Sequence, residues 1–238
     1  MDLGLTGHRY VVTGGARGLG YATAQALAAE GARTLLIGRD PAALANACAS
    51  LGTGHEYLAA DLSLPETAQQ ISAWAGDIDG ALVNVGGPAP GRILEIDDAE
   101  WQSAFDGVFM ATIRLVRTLA PRMRPNGAFL AVLSTTVKQP IADLGASNGM
   151  RPGLAVAVKD LADALAPDVR VNGILPGRIA TQRLRELYPE NAGEGIPLGR
   201  PGDPAEFGRV AAFLLSPAAS YVTGTLVSVD GGLLRSPW

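Results

Sequence analysis

The sequence predicts a Rossmann-type α/β fold, a single doubly wound domain whose seven-stranded parallel sheet carries helices on both faces. Short apolar, β-branched runs alternate with longer Ala- and Leu-rich runs of helical spacing along the whole chain. Hydrophobic residues make up 47% of the 238 residues and charged residues 18%, which is enough apolar material for a large core. A glycine cluster also follows the first apolar run, where a strand is expected to turn into a helix.

Each element follows from its local pattern. We predict strands at 9–13, 33–37, 56–60, 80–85, 128–133, 170–174 and 225–229. We predict helices at 19–30, 41–50, 65–74, 97–123, 153–165 and 204–215. Residues 1–238 show no linker or repeat and are expected to form one domain. Within it, the irregular segment 179–203 has three prolines and four glycines, and we interpret it as a substrate lid.

Composition excludes several functional classes. Cys48 is the single cysteine, so an intramolecular disulfide is impossible, and with only His8 and His55 we expect no metal site. The net charge is −4 and no basic run occurs, so we expect no nucleic-acid partner. No apolar stretch approaches the ~20 residues of a membrane span, and the N-terminus lacks a signal-peptide pattern. These features predict a cytoplasmic protein without a membrane partner.

The first strand runs directly into a glycine-rich loop, Thr13 to Gly20 (TGGARGLG). Its glycines at 14, 18 and 20 permit a tight turn and let backbone N–H groups approach a pyrophosphate. The helix that follows adds the positive end of its dipole. The spacing is G-x-x-x-G-x-G rather than the common G-x-G-x-x-G. Its position at the first strand-to-helix turn nevertheless predicts a dinucleotide site rather than a merely structural turn.

The end of the second strand predicts which dinucleotide binds. A carboxylate about twenty residues beyond the loop would bond the ribose 2′-hydroxyl of NAD. Here Arg39 stands where that acid is expected, and Arg17 lies in the loop itself, so two guanidinium groups suit a 2′-phosphate. We therefore predict NADP (NADPH) in preference to NAD. NAD remains the alternative, because Asp40 is a carboxylate next to this position. In that case Arg17 and Arg39 would be solvated surface residues.

Further segments follow the TGGARGLG loop in order: ADL at 60–62, VNVGG at 83–87, VNGILPG at 171–177, and YVTG through VDGG at 221–232. Together they resemble the classical short-chain dehydrogenase/reductase family, and the likeness covers nearly the whole chain. In that family these segments surround a nicotinamide dinucleotide. The resemblance implies a cofactor-binding set of Gly14, Arg17, Gly18, Leu19, Gly20, Arg39, Asp61, Leu62, Asn84, Val85, Gly86, Pro176, Gly177, Ile179 and Thr181.

The resemblance breaks at the catalytic positions. The family reduces carbonyls or oxidises alcohols with a Ser, Tyr and Lys set assisted by an Asn. Ser134 fills the Ser position at the end of the fifth strand, but the Tyr and Lys positions hold Ser147 and Arg151, and the Asn position holds Val108. The five tyrosines, at 10, 21, 57, 188 and 221, lie elsewhere. We therefore predict a divergent member that lacks the catalytic Tyr and Lys.

The replacement residues have weaker acid–base chemistry. A serine hydroxyl is a far weaker acid than tyrosine. A guanidinium can hydrogen-bond a ribose hydroxyl or stabilise negative charge, but it cannot pass a proton. General acid–base catalysis contributes ~10² to 10⁴ in rate, so the loss is large without abolishing hydride transfer to a reactive acceptor. Lys138 either reaches the cleft as a substitute cation or is an exposed loop residue. Tyr188 either enters the cleft from the lid or makes an ordinary apolar contact.

Proline and glycine predict a late start for the helix that carries residues 147 and 151. Pro152 is tolerated only in a first helical turn, so the N-terminus is expected within Asn148–Arg151, with Ser147 or the next residue as its cap. Gly149 and Gly153 weaken any earlier start. The two catalytic positions would then be displaced from the family's geometry, and restoring Tyr and Lys there would give little activity.

The leading hypothesis is an NADP-dependent oxidoreductase that transfers hydride to or from a carbonyl, enone or imine-like small molecule. Ser134 would orient the substrate oxygen, with Arg151, Lys138 or water in the electrostatic and proton roles. Two alternatives stay open: a catalytically weak NADP-binding sensor or scaffold, and a non-redox isomerase or cyclase that reuses the pocket. The resemblance also implies a homo-oligomer, dimer or tetramer, formed through the helices at 97–123 and 153–165, and Trp238 is a further candidate for a subunit contact.

Overall fold

Seven parallel strands form one sheet in the computed structural model, which describes residues 2–188 and 190–236. The strands are β1 (Arg9–Thr13), β2 (Arg33–Gly38), β3 (Glu56–Ala59), β4 (Ile78–Val83), β5 (Met123–Val132), β6 (Val169–Pro176) and β7 (Leu226–Val229). Their order across the sheet is β3-β2-β1-β4-β5-β6-β7, so the direction of winding reverses between β1 and β4. The predicted fold class is confirmed. Trp238 lies outside the described residues.

Helices cover both faces of this sheet. They are α1 (Gly18–Ala29), α2 (Pro41–Leu51), α3 (Thr67–Ala75), α4 (Asp98–Ala104), α5 (Ala111–Leu119), α6 (Gly145–Leu165), α7 (Gln182–Leu187) and α8 (Pro204–Leu215). The helix predicted at 97–123 is divided, because a π-helix (Phe105–Met110) separates α4 from α5 and β5 already begins at Met123. In residues 2–188 and 190–236, no helix is long and apolar enough to cross a membrane.

The core consists of two apolar layers, one on each face of the sheet. Successive side chains of a strand point to opposite faces, so Val11 and Leu35 belong to one layer and Val12 and Leu36 to the other. All four are buried, as expected for a parallel sheet that is covered on both sides. Because the strands are buried on both faces, their sequences are nearly continuous apolar runs.

The start of α6 contradicts the sequence-based prediction. The helix begins at Gly145 and continues unbroken to Leu165, with Pro152 in its interior. Leu144 occupies the N-cap position without a side-chain cap, so neither Ser147 nor Asn148 caps the helix. The side chain of Asn148 instead hydrogen-bonds the backbone N–H (3.1 Å) and C=O (2.8 Å) of Ile141, which fixes the chain that enters the helix.

Tertiary packing explains why α6 has glycine at positions 149 and 153. A Cβ on Gly149 would lie 2.9 Å from the ring of Trp101, and a Cβ on Gly153 would lie 3.1 Å from the ring of Phe109. The two glycines therefore let α4 and the π-helix approach α6 closely. The helix forms although each glycine costs ~1 kcal/mol in helix propensity and an interior proline ~3 kcal/mol.

Candidate functional site

A large cleft opens at the carboxyl ends of the strands, where the strand order reverses between β1 and β4. In doubly wound sheets this switch point is where ligands bind. Thr13 joins the two strand ends, because its hydroxyl accepts from the N–H of Asn84 (2.7 Å) and faces the carbonyl oxygens of Leu82 (3.2 Å) and Asn84 (3.1 Å). The cleft has a volume of about 2120 Å³. Drug-sized ligands occupy roughly 300–1,000 Å³, so the cleft has room for a dinucleotide and a second molecule.

The glycine-rich loop forms one wall of this cleft. Gly14 and Gly18 have φ angles of +61° and +58°, which side chains other than glycine rarely adopt. A Cβ on Gly20 would collide with the carbonyl oxygen of Gly14, and one on Gly14 would lie 2.6 Å from the side-chain nitrogen of Asn84. Arg17 occupies the N-cap position of α1 without a capping side chain, so the first N–H groups of the helix are available. This arrangement fits a pyrophosphate.

The predicted cofactor residues lie around the same cleft. All of them line it except Gly20, which lies behind Gly14. Thr181, which follows β6, brings its methyl group within 3.5 Å of the Cβ position of Gly18 and caps α7 by accepting from the N–H of Leu184 (3.3 Å). The segment after β6 therefore packs directly against the glycine-rich loop.

The groups that could choose between NAD and NADP have different surroundings. The carboxylate of Asp40 caps α2, where it accepts from the N–H groups of Ala42 (3.0 Å) and Ala43 (3.1 Å). Arg39 is exposed on the cleft wall, and Arg17 donates to the side chain of Gln182 (3.4 Å). The acid next to the second strand is thus engaged in capping, while both guanidinium groups line the cleft.

Asp61, one of the predicted cofactor-binding residues, is held in a turn. It accepts from the backbone N–H (3.0 Å) and the hydroxyl (2.8 Å) of Ser63. These two hydrogen bonds, and to a smaller degree the charge of Arg39, lower the pKa of the Asp61 carboxyl. The side chain is therefore an ionised acceptor in the wall of the cleft.

Three of the four predicted catalytic residues come together at the other end of the cleft. Ser134, Ser147 and Arg151 all line it, whereas Lys138 is not among the lining residues. The Oγ of Ser134 accepts from the N–H of Thr136 (3.1 Å), and the Oγ1 of Thr136 lies 3.2 Å from the Oγ of Ser147. Nothing local in the sequence indicates that Thr136 meets Ser147 on another element.

Arg151 is a buried cation at the base of this cleft. The residue is 5% exposed, and its Nη1 donates to the backbone carbonyl of Val132 at 2.7 Å. Burial, and next the positive charge of Arg183, lower the pKa of Arg151 to about 10, so it remains protonated at neutral pH. Within the part of the chain that the structure describes, Arg151 makes no ion pair with a carboxylate.

Arg183 and α7 were not foreseen from the sequence. Arg183 lies on α7, lines the cleft, and donates from Nη2 to the backbone carbonyl of Pro88 (2.8 Å). Thr181 at the N-cap was the available signal for a short helix here. Nothing in the local pattern distinguishes Arg183 from a solvated lid arginine.

The remainder of the segment 179–203 is organised by Arg178. Its Nη1 faces the backbone carbonyls of Asn191 (3.2 Å), Ala192 (3.4 Å) and Glu194 (2.7 Å). Its guanidinium carbon lies 4.2 Å from the centre of the Tyr188 ring, a cation–π arrangement. Tyr188 also lines the cleft, so Arg178 connects the start of the segment with the residues that face the interior.

Comparisons with known proteins agree with this geometry. The model of a family described as enoyl-(acyl carrier protein) reductase matches residues 14–234. Galactitol 2-dehydrogenase (L-tagatose-forming) of Cereibacter sphaeroides is 35% identical, over 96% of this chain and 95% of its own length. The chain is thus similar to reductases and dehydrogenases, and it belongs to the short-chain dehydrogenase/reductase family.

Solved structures show the same relationship. L-sorbose reductase of Gluconobacter frateurii, complexed with NADPH and L-sorbose, superposes with a TM-score of 0.91 at 30% identity and covers 99% of this chain and 100% of its own. An NADPH-bound short-chain oxidoreductase of Pseudomonas aeruginosa PAO1, described as containing an atypical catalytic center, has a TM-score of 0.90 at 29% identity. That match covers 96% of this chain and 97% of the other.

Proposed function

We propose that this chain is an NADP-dependent oxidoreductase that transfers hydride to or from a carbonyl, enone or imine-like small molecule, and that Ser147 and Arg151 replace the Tyr and Lys of its family. The observation that carries the proposal is the convergence of Ser134, Ser147 and Arg151 on the cleft that the glycine-rich loop borders. When bound, NADPH supplies the hydride. The side chains at the other end of the cleft must then orient the acceptor and stabilise the charge that develops on its oxygen.

The preference for NADP rests on Arg17 and Arg39. Both line the cleft near the glycine-rich loop, and a 2′-phosphate accepts charge-assisted hydrogen bonds from guanidinium groups. Asp40, the group that could bond an NAD ribose, is engaged in capping α2. The NADPH bound to the sorbose reductase and to the Pseudomonas oxidoreductase supports the same choice.

Ser134 is arranged to donate a hydrogen bond to a substrate oxygen. Because its Oγ already accepts from the N–H of Thr136, its rotamer is fixed and its own proton is left to donate into the cleft. Arg151 supplies a positive field at the same end of the cleft, in a site where burial strengthens electrostatic interactions. Together they would stabilise a developing alkoxide.

Proton delivery falls to the hydroxyl pair of Ser147 and Thr136. Arg151 remains protonated, so it cannot pass a proton to the substrate. The two hydroxyl oxygens lie 3.2 Å apart, and each can donate and accept, so the pair can pass a proton from water to the alkoxide. The slow step in this scheme is protonation, which favours reactive acceptors.

The remaining features complete the proposal. The chain acts as one domain, and the segment 179–203 closes over the substrate through contacts such as that of Arg183 with Pro88. The enzyme assembles as a homo-oligomer, and exposed apolar side chains such as Phe105 on the π-helix and Val156 on α6 suit such contacts. Light scattering at micromolar concentration tests this assembly, and a monomer would contradict it.

The function is tested by following NADPH consumption. The protein is first titrated with NADPH and NADH, and then assayed with a panel of ketones, aldehydes, enones and imines. We expect tighter binding of NADPH and stoichiometric oxidation of NADPH with at least one acceptor. Binding without consumption of NADPH across the panel would favour a sensor or scaffold, and conversion of a substrate without net oxidation would favour an isomerase or cyclase.

A further inference from the structure

The substrate end of the cleft carries positive charge that the described residues do not neutralise. Arg151 is 5% exposed and its hydrogen-bond partner is the neutral carbonyl of Val132. A buried charge that lacks an opposite charge is costly, and arginine is almost never fully buried unless it is paired. The expected remedy is an anion that arrives with a ligand.

Arg183 adds a second positive charge facing the same space. Its side chain is held in place by the hydrogen bond from Nη2 to the carbonyl of Pro88, on the loop that follows β4. Its charge helps to lower the pKa of Arg151, so the two guanidinium groups lie within each other's field. Two like charges that face one cavity disfavour each other, and an anion between or beside them would relieve this repulsion.

The carboxylates that line the cleft do not supply this anion, because in residues 2–188 and 190–236 none of them forms an ion pair with Arg151 or Arg183 and each is held elsewhere. Asp40 accepts from Ala42 and Ala43, Asp61 from Ser63, Glu95 pairs with Arg92, Asp97 and Glu100 form a capping box, and Glu186 accepts from Gln182. The cofactor phosphates are served by the glycine-rich loop, by the N-terminus of α1 and by Arg17 and Arg39. Arg183 is therefore left for the second molecule in the cleft.

We propose that the substrate is a carbonyl compound that carries a carboxylate, and that Arg183 binds this carboxylate while Arg151 contributes to its field. This inference rests on the proposed function, since it assumes that the second molecule in the cleft is the hydride acceptor. The planar guanidinium of Arg183 uses one N–H donor on Pro88, which leaves a fork of donors for a carboxylate. Through Arg183, the lid segment would favour substrates that carry a negative charge.

The test compares oxo acids with their methyl esters, which keep the ketone and remove the charge. Phenylglyoxylate, pyruvate, acetoacetate and 4-oxopentanoate, each with its ester, are titrated calorimetrically into the complex of the protein with NADP⁺. We expect at least one acid to bind about 10-fold more tightly than its ester, the range of a charge-assisted contact. Arg183→Gln should abolish this preference, and raised ionic strength should weaken it.

Arg209→Gln is the matched control, because Arg209 is an exposed arginine of α8 that does not line the cleft. It should keep the acid preference of the wild type. The inference is overturned if no acid of the panel binds better than its ester, or if Arg183→Gln keeps the preference. An acid preference without NADPH oxidation would contradict the proposed function alone, and oxidation with equal use of acids and esters would contradict this inference alone.

Discussion

The glycines of the loop at the start of α1 and those inside α6 act in different ways. In the glycine-rich loop and at the first residue of α1, Gly14 and Gly18 adopt positive φ angles, so they shape a loop that side chains would distort. Inside α6, Gly149 and Gly153 belong to a regular helix and stand where a Cβ would meet Trp101 or Phe109. The first pair provides a backbone conformation for a ligand, and the second pair provides space for a neighbouring element. A glycine in the sequence can therefore indicate either an unusual backbone conformation or the close approach of a neighbouring element.

The largest expected effect is on the glycine-rich loop. Gly20→Ala introduces a Cβ that collides with the carbonyl of Gly14. The loop must move, and a displacement of ~1 Å in a binding site can cost ~10²-fold. We expect the affinity for NADPH to fall by about that factor in a fluorescence titration.

Gly208→Ala is the control for this variant. A Cβ on Gly208 of α8 collides with the backbone carbonyl of Ala22, which lies in α1 two residues beyond the loop. It should lower the Tm through overpacking and leave the affinity for NADPH near that of the wild type. Equal NADPH affinities for Gly20→Ala and the wild type would remove the conformational role assigned to the loop.

The next largest effect is expected from changing the charge of Arg39. Arg39→Asp replaces a cation that faces the cleft by a carboxylate, so NADPH binding should weaken by ~1 to 3 kcal/mol, the range of a charge-assisted contact. NADH binding should not weaken, because NADH lacks the 2′-phosphate. Parallel titrations with both nucleotides measure the difference. Equal losses for the two nucleotides, or none for NADPH, would contradict the NADP preference.

The smallest expected effects concern the glycines of α6. Gly149→Ala brings a Cβ to 2.9 Å from Trp101, and overpacking of ~1 to 3 kcal/mol should exceed the ~1 kcal/mol gained in helix propensity. Gly153→Ala meets Phe109 at 3.1 Å, so the two terms should nearly cancel. Chemical denaturation should rank Gly149→Ala as the less stable variant, with NADPH affinity unchanged in both. A stabilising Gly149→Ala would show that Trp101 does not require this space.

Local signals account for the parts of the fold that were predicted correctly. α8 begins as predicted at Pro204, because Asp203 and Glu206 form a capping box around a proline in the first turn. The glycine-rich loop is equally local, since strand, turn and helix follow one another in the sequence. The cofactor side of the cleft could therefore be read from consecutive residues.

The substrate side depends on contacts between distant residues. Pro152 predicts a helix start, whereas α6 begins at Gly145 and packs against α4 and the π-helix through Gly149 and Gly153. Arg183 meets Pro88 across 95 residues of sequence, and Ser147 meets Thr136 from another element. Contacts between distant residues leave no periodic pattern, so the sequence did not indicate Arg183, and it left Lys138 as a candidate although Lys138 does not line the cleft.

The regular course of α6 gives the most direct test of the proposed active site. Because the helix runs unbroken from Gly145, residues 147 and 151 lie one helical turn apart on one face, as the family's Tyr and Lys positions require. The double variant Ser147→Tyr/Arg151→Lys should therefore regain a proton donor. Its NADPH-dependent rate on the carbonyl panel should exceed that of the wild type by at least about 10-fold, below the ~10² to 10⁴ of full acid–base catalysis. A folded double variant that binds NADPH like the wild type and reduces no carbonyl faster would contradict the placement of Ser147 and Arg151 at the reacting centre.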